Sequence, residues 1–200
     1  MRNRYREKQK NPLVKKILKE VIIFLIEAAI VVGLAYCVIE FALEKTEITG
    51  SSMEATLSDS DQIIIDKFSY HFHEPQRFDV IVFKQNNREH GYYNVKRVIG
   101  LPGETIQIKD GLIYINGEEV KDKISCDTMN TGGLAEEPIL LEENEYFVLG
   151  DNRNNSEDSR FANVGNVIRN EIIGKAWIQI NPFNFVSKKN LLDKNQKEIE

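Results

Sequence analysis

The chain has 200 residues, 42% hydrophobic and 28% charged, with 12 Gly and 5 Pro, which excludes a disordered, collagen-like or Pro-rich protein. Two cysteines are too few for a disulfide scaffold, and the length has room for one domain plus an additional segment. The net charge of −5 divides into +6 over residues 1–20 and −11 over the rest, an acidic body unsuited to the phosphate backbone of a nucleic acid.

Residues 1–20, with eight Lys and Arg against Glu7 and Glu20, read as a basic cytoplasmic tail. Residues 21–43, VIIFLIEAAIVVGLAYCVIEFAL, carry only Glu27 and Glu40 as charges. A helix rises about 1.5 Å per residue, so this run spans a hydrocarbon core of roughly 30 Å. It is longer than the apolar part of a signal peptide, and no Ala-x-Ala closes it, so it reads as a retained anchor in membrane lipid. Basic residues stay on the cytoplasmic side, which places the amino end inside and residues 44–200 outside the cell membrane. Glu40 reaches the interface. Glu27 reads as a tolerated near-interface charge in preference to a contact with a partner helix. Cys37 lies in the anchor and Cys126 in the body, so the two are not expected to pair.

Beyond residue 44, short β-branched runs bounded by turn residues predict strands at 62–66, 79–83, 94–99, 105–108, 112–115, 145–149 and 171–180. Asn116-Gly117 is the signal of a two-residue hairpin turn. Residues 52–58 allow one or two helical turns, and the polar stretch 121–144 reads as an excursion from the sheet. The expected fold is mostly β: an antiparallel, extracytoplasmic β-rich domain at 44–186, preceded by one transmembrane helix. A solvated, charged tail at 187–200 follows it.

Three stretches carry chemistry: ITGSSMEATL at 48–57, YNVKRVIGLPGE at 93–104 and GDNRNNSEDSR at 150–160. They supply a hydroxyl on a tight turn, a lysine inside an apolar strand and a loop rich in donors and acceptors. A strand places Lys96 and Arg97 on opposite faces, so one of them points to an apolar side. Arginine keeps its proton, whereas a buried lysine loses affinity for its own because desolvation disfavours the ammonium. A free lysine is neutral about once in a few thousand at pH 7, and a downward shift of roughly three units, at a cost of about 4 kcal/mol, makes it a usable base. Such a base activates a serine. The strand alone equally allows a lysine whose stem crosses apolar surface while its head reaches water.

Together with RFDVIVF at 77–83, these stretches resemble, in order and spacing, the sequence boxes of the bacterial type I signal peptidases, in their short single-anchor form. The resemblance implies a membrane-bound serine endopeptidase that removes signal peptides from exported preproteins after small residues, typically Ala-x-Ala. It implies Ser52 as nucleophile, Lys96 as general base and Ser156 as the hydroxyl that orients the lysine, with Asp158 and Arg160 as a bracing salt bridge. Ile48, Met53, Leu57 and Val95 match the shallow substrate pockets, beside which the substrate lies as an extended strand. No cofactor or metal is implied.

The chain departs from that pattern at three places. Gly50 replaces a serine that in some members gives the second oxyanion donor, Ala55 stands where proline is usual, which suggests a looser turn, and Phe78 stands where glycine is common, which suggests a packing variation. His71, His73 and His90 lack the acidic or thiol partners of a metal site. Tyr70, Phe72, Tyr92 and Tyr93 read either as ordinary surface and core aromatics or as a rim facing lipid. An inactive relative serving as a binding or assembly module would be signalled by a missing Ser or Lys, and both are present. A self-cleaving repressor-type Ser-Lys protease needs a DNA-binding domain and an Ala-Gly or Cys-Gly bond upstream of the serine, and residues 1–51 contain neither.

Overall fold

The computed structural model describes residues 12–85 and 93–188; His90, Tyr92, residues 1–11 of the basic tail and residues 189–200 of the C-terminal tail lie outside them. The chain divides into two units, residues 1–41 and 42–200. The first is built on helix α1, Pro12–Ala42. It begins nine residues ahead of the expected anchor, inside the basic segment. The cause is local: Pro12 presets φ at the first helical position, and Leu13, Lys15, Lys16 and Lys19 are good helix formers. From Leu13 to Ala42 the helix is long and apolar enough to cross a membrane. Leu43, expected at the end of the apolar run, opens a strand instead.

The second unit is antiparallel β-sheet. In chain order its strands are β1 Leu43–Glu47, β2 Gln62–Asp66, β3 Val80–Phe83, β4 Asn94–Gly100, β5 Thr105–Lys109 and β6 Leu112–Ile115. There follow β7 Glu118–Glu119, β8 Ile139–Leu140, β9 Glu145–Leu149, β10 Val167–Ile168, β11 Ile172–Gln179 and β12 Asn184–Phe185. The larger sheet runs β1-β2-β11-β3-β4-β9-β10, with β12 beside β11; the smaller runs β7-β6-β5-β8. Every strand expected from the sequence is present with its ends within one residue. Those not foreseen are β7, β8, β10 and β12, of two residues each, and β1. The sequence of β1, LEKTE, has no apolar alternation and becomes a strand through its unbroken register with β2. The β6–β7 hairpin pairs Ile115 with Glu118 around Asn116 and Gly117, both at positive φ, as a type I′ turn requires.

Strand β4 runs through the middle of the larger sheet between β3 and β9. Val95 belongs to one buried cluster, with Ile48, Met53, Leu57 and Val80. Val98 belongs to another, with Ile81, Tyr146 and Val148. With both faces covered, Lys96 and Arg97 are each buried, at 5% and 2% exposure, where the alternation argument required only one of them to be.

Phe78 is more than a packing variation. Its φ of 73° lies in the left-handed region, the conformation that glycine adopts freely and a bulky residue does not. Packing against the cluster around Ile106 and Phe147, with the Lys123 ammonium 4.8 Å from the ring centroid, offsets that strain.

Candidate active site

Leaving β1, the chain passes Ile48 and Thr49 into a turn that carries Ser52. Gly50 stands at φ 92°, and its N–H donates to Asp59 Oδ1 at 2.6 Å. Residues 52–58 form linked turns and not a regular helix, with Leu57 N–H on the Met53 carbonyl at 2.8 Å. Ala55, at φ 74°, breaks the helical path. A proline, fixed near about −65°, cannot take this conformation, so alanine here goes with a differently wound turn and not merely a looser one. Relief of that strain by Ala55→Gly is expected to stabilise the protein by about 1 kcal/mol, read as a raised midpoint in thermal unfolding of the full chain in detergent.

Lys96 arrives from β4. Its Nζ lies 2.6 Å from Ser52 Oγ, at hydrogen-bond distance. Burial pushes the lysine pKa down, while the carboxylates of Asp158, Asp151 and Glu157 pull it part of the way back. Ser52 and Lys96 share a cleft of about 40 Å³ with Thr46, Glu47, Ile48, Thr49, Met53, Tyr93, Asn94 and Val95. Of the expected pocket residues, Ile48, Met53 and Val95 line it. Leu57 does not: fully buried, it packs in the cluster with Met53 and Ile48. The Ser52 N–H has no acceptor among the described residues, so it remains able to meet an oxyanion, whereas the Gly50 N–H is already held by Asp59.

The loop after β9 clamps this turn. Asn152 donates its N–H to the Ser52 carbonyl at 3.0 Å and its side-chain amide to the Ser51 carbonyl at 3.1 Å, and the Asn155 amide reaches Ser51 Oγ at 2.9 Å. Asp158 and Arg160 form the expected pair at 2.8 Å, and Asp158 also accepts the Gly150 N–H at 3.0 Å. The other side of Gly150 is held by Arg153, which donates to its carbonyl at 3.0 Å and grips Asp122 at 2.6 and 2.9 Å. The excursion at 121–144 is thereby tied to the site loop. Any side chain on Gly150 would overlap Ser156 Oγ and the Ser52 carbonyl, so glycine is required there for close approach. Ser156 Oγ is buried without a hydrogen-bond partner among the described residues, and the expected bond to Lys96 is not made.

Sequence reasoning missed a second buried ion pair beside the site. Arg97 Nε and Nη2 bind Asp151 at 2.8 and 2.6 Å, with both side chains at or below 2% exposure. Thr56 Oγ1 also donates to Asp151, and Arg97 Nη1 to the Phe78 carbonyl at 2.9 Å. This network braces the turn that carries Ser52 against β4 from behind. Its only signal was an arginine inside an apolar strand and an acid directly after Gly150. Among the aromatics, Tyr70 is buried and bonded to Asp79, while Phe72 is exposed and meets the Phe68 ring at a tilt, with centroids 4.9 Å apart. His71 Nδ1 is 2.9 Å from the Lys67 carbonyl. Cys37 and Cys126 are both free, and burial pushes the Cys126 thiol up to about 11.

Comparison with known proteins agrees with the resemblance. The family model described as signal peptidase, peptidase S26, matches residues 19–180. A signal peptidase I from Leptolyngbya laminosa is 41% identical over 160 residues, covering 76% of each chain. The signal peptidase I T of Bacillus subtilis strain 168 is 35% identical over 164 residues, covering 78% of this chain and 82% of its own. The crystal structure of a signal peptidase I from Enterococcus faecalis V583 is similar at 33% identity and a TM-score of 0.40, over 52% of this chain and 97% of that one.

Proposed function

The chain belongs to the signal peptidase family, peptidase S26, and is a serine hydrolase that cleaves signal peptides; we propose that it does so with a Ser52–Lys96 dyad, after small residues of the Ala-x-Ala kind. The observation that carries this reading is the buried Lys96 amine at 2.6 Å from Ser52 Oγ, at the end of a narrow cleft. Neutral Lys96 takes the Ser52 proton as Oγ attacks the scissile carbonyl, and the resulting ammonium returns it to the leaving amine. The Ser52 N–H meets the developing oxyanion. In the second half, Lys96 deprotonates the water that hydrolyses the ester on Ser52. The partnerless hydroxyl of Ser156, next to Ser52 across Gly150, is suited to accept a hydrogen bond from the ammonium that forms. A cleft lined by Ile48, Met53 and Val95 with so little room favours small side chains before the bond and excludes bulky ones by overlap.

The proposed arrangement in the cell follows the apolar helix. Basic residues 1–20 stay in the cytoplasm, residues 21–43 act as the anchor in lipid, and the catalytic domain at 44–186, with the tail at 187–200, lies outside. The preproteins it cuts emerge on that side.

Cleavage of a preprotein whose signal ends in Ala-x-Ala, by the full chain in detergent, tests the proposal. The product is expected to begin directly after the last Ala. Only the neutral amine accepts the Ser52 proton, and its fraction grows about tenfold per pH unit below the pKa. The rate kcat/KM is therefore expected to rise with pH and level off at a point below the ordinary lysine value of about 10.4, because burial lowers the Lys96 pKa. A profile flat from about pH 6 to about pH 10 overturns Lys96 as the titrating base.

A further inference from the structure

We infer that Tyr93, tied to Glu44, closes the end of the cleft away from the Ser52–Lys96 pair and sets which side chain a substrate can carry at the fourth residue before the scissile bond. The inference rests on the cleavage reading above. The two long walls of the cleft come from distant parts of the chain: Thr46, Glu47, Ile48 and Thr49 on one side, Tyr93, Asn94, Val95 and Lys96 on the other. The Tyr93 hydroxyl crosses from the second wall to β1, donating to Glu44 Oε1 at 2.7 Å. The other oxygen of that carboxylate accepts from Lys67 Nζ at 3.2 Å, so the acceptor is itself held from β2's end of the sheet. The Tyr93 hydrogen bond, ahead of the Lys67 charge, also keeps the Glu44 carboxyl below its usual range, so the acceptor stays ionised.

Tyr93 precedes Lys96 by three residues, about 10 Å along an extended backbone. An extended substrate advances at the same pitch. If its first residue before the bond lies beside Lys96, its fourth lies beside Tyr93. A tyrosine ring tethered across the groove at that point, though partly exposed, takes up space that a large side chain would need, and the free space left in the cleft, about 40 Å³, admits only a few water-sized groups. Tyr93 is thus a specificity residue, with Glu44 positioning it.

The test compares kcat/KM of the full chain in detergent on peptides ending their signal in Ala-x-Ala, with Ala, Leu or Phe at the fourth residue before the bond. A parallel set carries Ala or Val at the first residue. For Tyr93→Ala, the Leu/Ala and Phe/Ala ratios at the fourth residue are expected to rise about tenfold or more, through KM, while the Val/Ala ratio at the first residue stays put. Glu44→Ala shifts the same ratios in the same direction by less, and Glu44→Gln, which keeps an acceptor for the Tyr93 hydroxyl, retains the wild-type ratios. Cleavage of the alanine peptide by each variant reports that it is folded. Equal losses on all peptides, or a shift confined to the first residue, overturn the inference while leaving the dyad standing. A wild type that cleaves none of the peptides overturns the cleavage reading and this inference together.

Discussion

Replacing Ser52 with alanine is expected to lower kcat for signal-peptide cleavage by on the order of 10⁴- to 10⁶-fold, and replacing Lys96 with alanine by a similar factor. The two act as one unit, with Oγ and Nζ 2.6 Å apart, so the double variant should lose scarcely more than either single one. Both variants are expected to keep the fold: Ser52→Ala removes one half-buried oxygen, and Lys96→Ala removes a buried amine whose charged form desolvation disfavours. The measurement is single-turnover cleavage of an Ala-x-Ala preprotein with the full chain in detergent, with circular dichroism as the control for folding. Additive losses in the double variant, or a Lys96→Ala enzyme within tenfold of wild type, would show that the amine is not the base.

A large loss of stability is expected from breaking the Arg97–Asp151 pair. Both side chains are fully inside the protein, and Asp151 also takes the Thr56 hydroxyl. Removing one partner leaves the other charge buried and uncompensated, which typically costs about 3–5 kcal/mol. For a domain of this size that corresponds to a fall in the unfolding midpoint of roughly 6–20 °C for Arg97→Ala or Asp151→Ala. The paired replacement Arg97→Met with Asp151→Leu should regain most of it, because neither charge is then left without a partner. Activity is the more sensitive readout of position. The same network holds Thr56 and the Phe78 carbonyl, so the double variant is expected to unfold late yet cleave slowly, its nucleophile turn no longer braced against β4. Full activity in that variant would show that apolar packing alone positions Ser52.

The sequence by itself determined the elements whose pattern is local. A run of apolar residues fixed the helix, although Pro12 and the lysines that follow drew its start nine residues earlier than hydropathy alone indicates. Alternation and turn residues fixed seven strands, and Asn116-Gly117 fixed a hairpin, because each of these preferences is settled by a residue and its near neighbours. The order of the three chemical stretches was likewise legible, and the family resemblance they carry named Ser52 and Lys96 as candidates.

Tertiary structure decided the rest. LEKTE became β1 because β2 offers an open edge, not because of its own pattern. Arg97 and Asp151 met across 54 positions of chain, a pairing that no local preference encodes. Leu57 went beneath the cleft and Ser156 was left without the lysine as partner, since both outcomes depend on how the turn at Ala55 winds and how closely Gly150 lets two segments approach. The bond from Tyr93 to Glu44 on β1 also exists only once the sheet has formed. Short-range conformational energy writes itself into neighbouring residues, whereas pairing of buried charge and the width of a cleft are set by segments that the chain brings together only on folding.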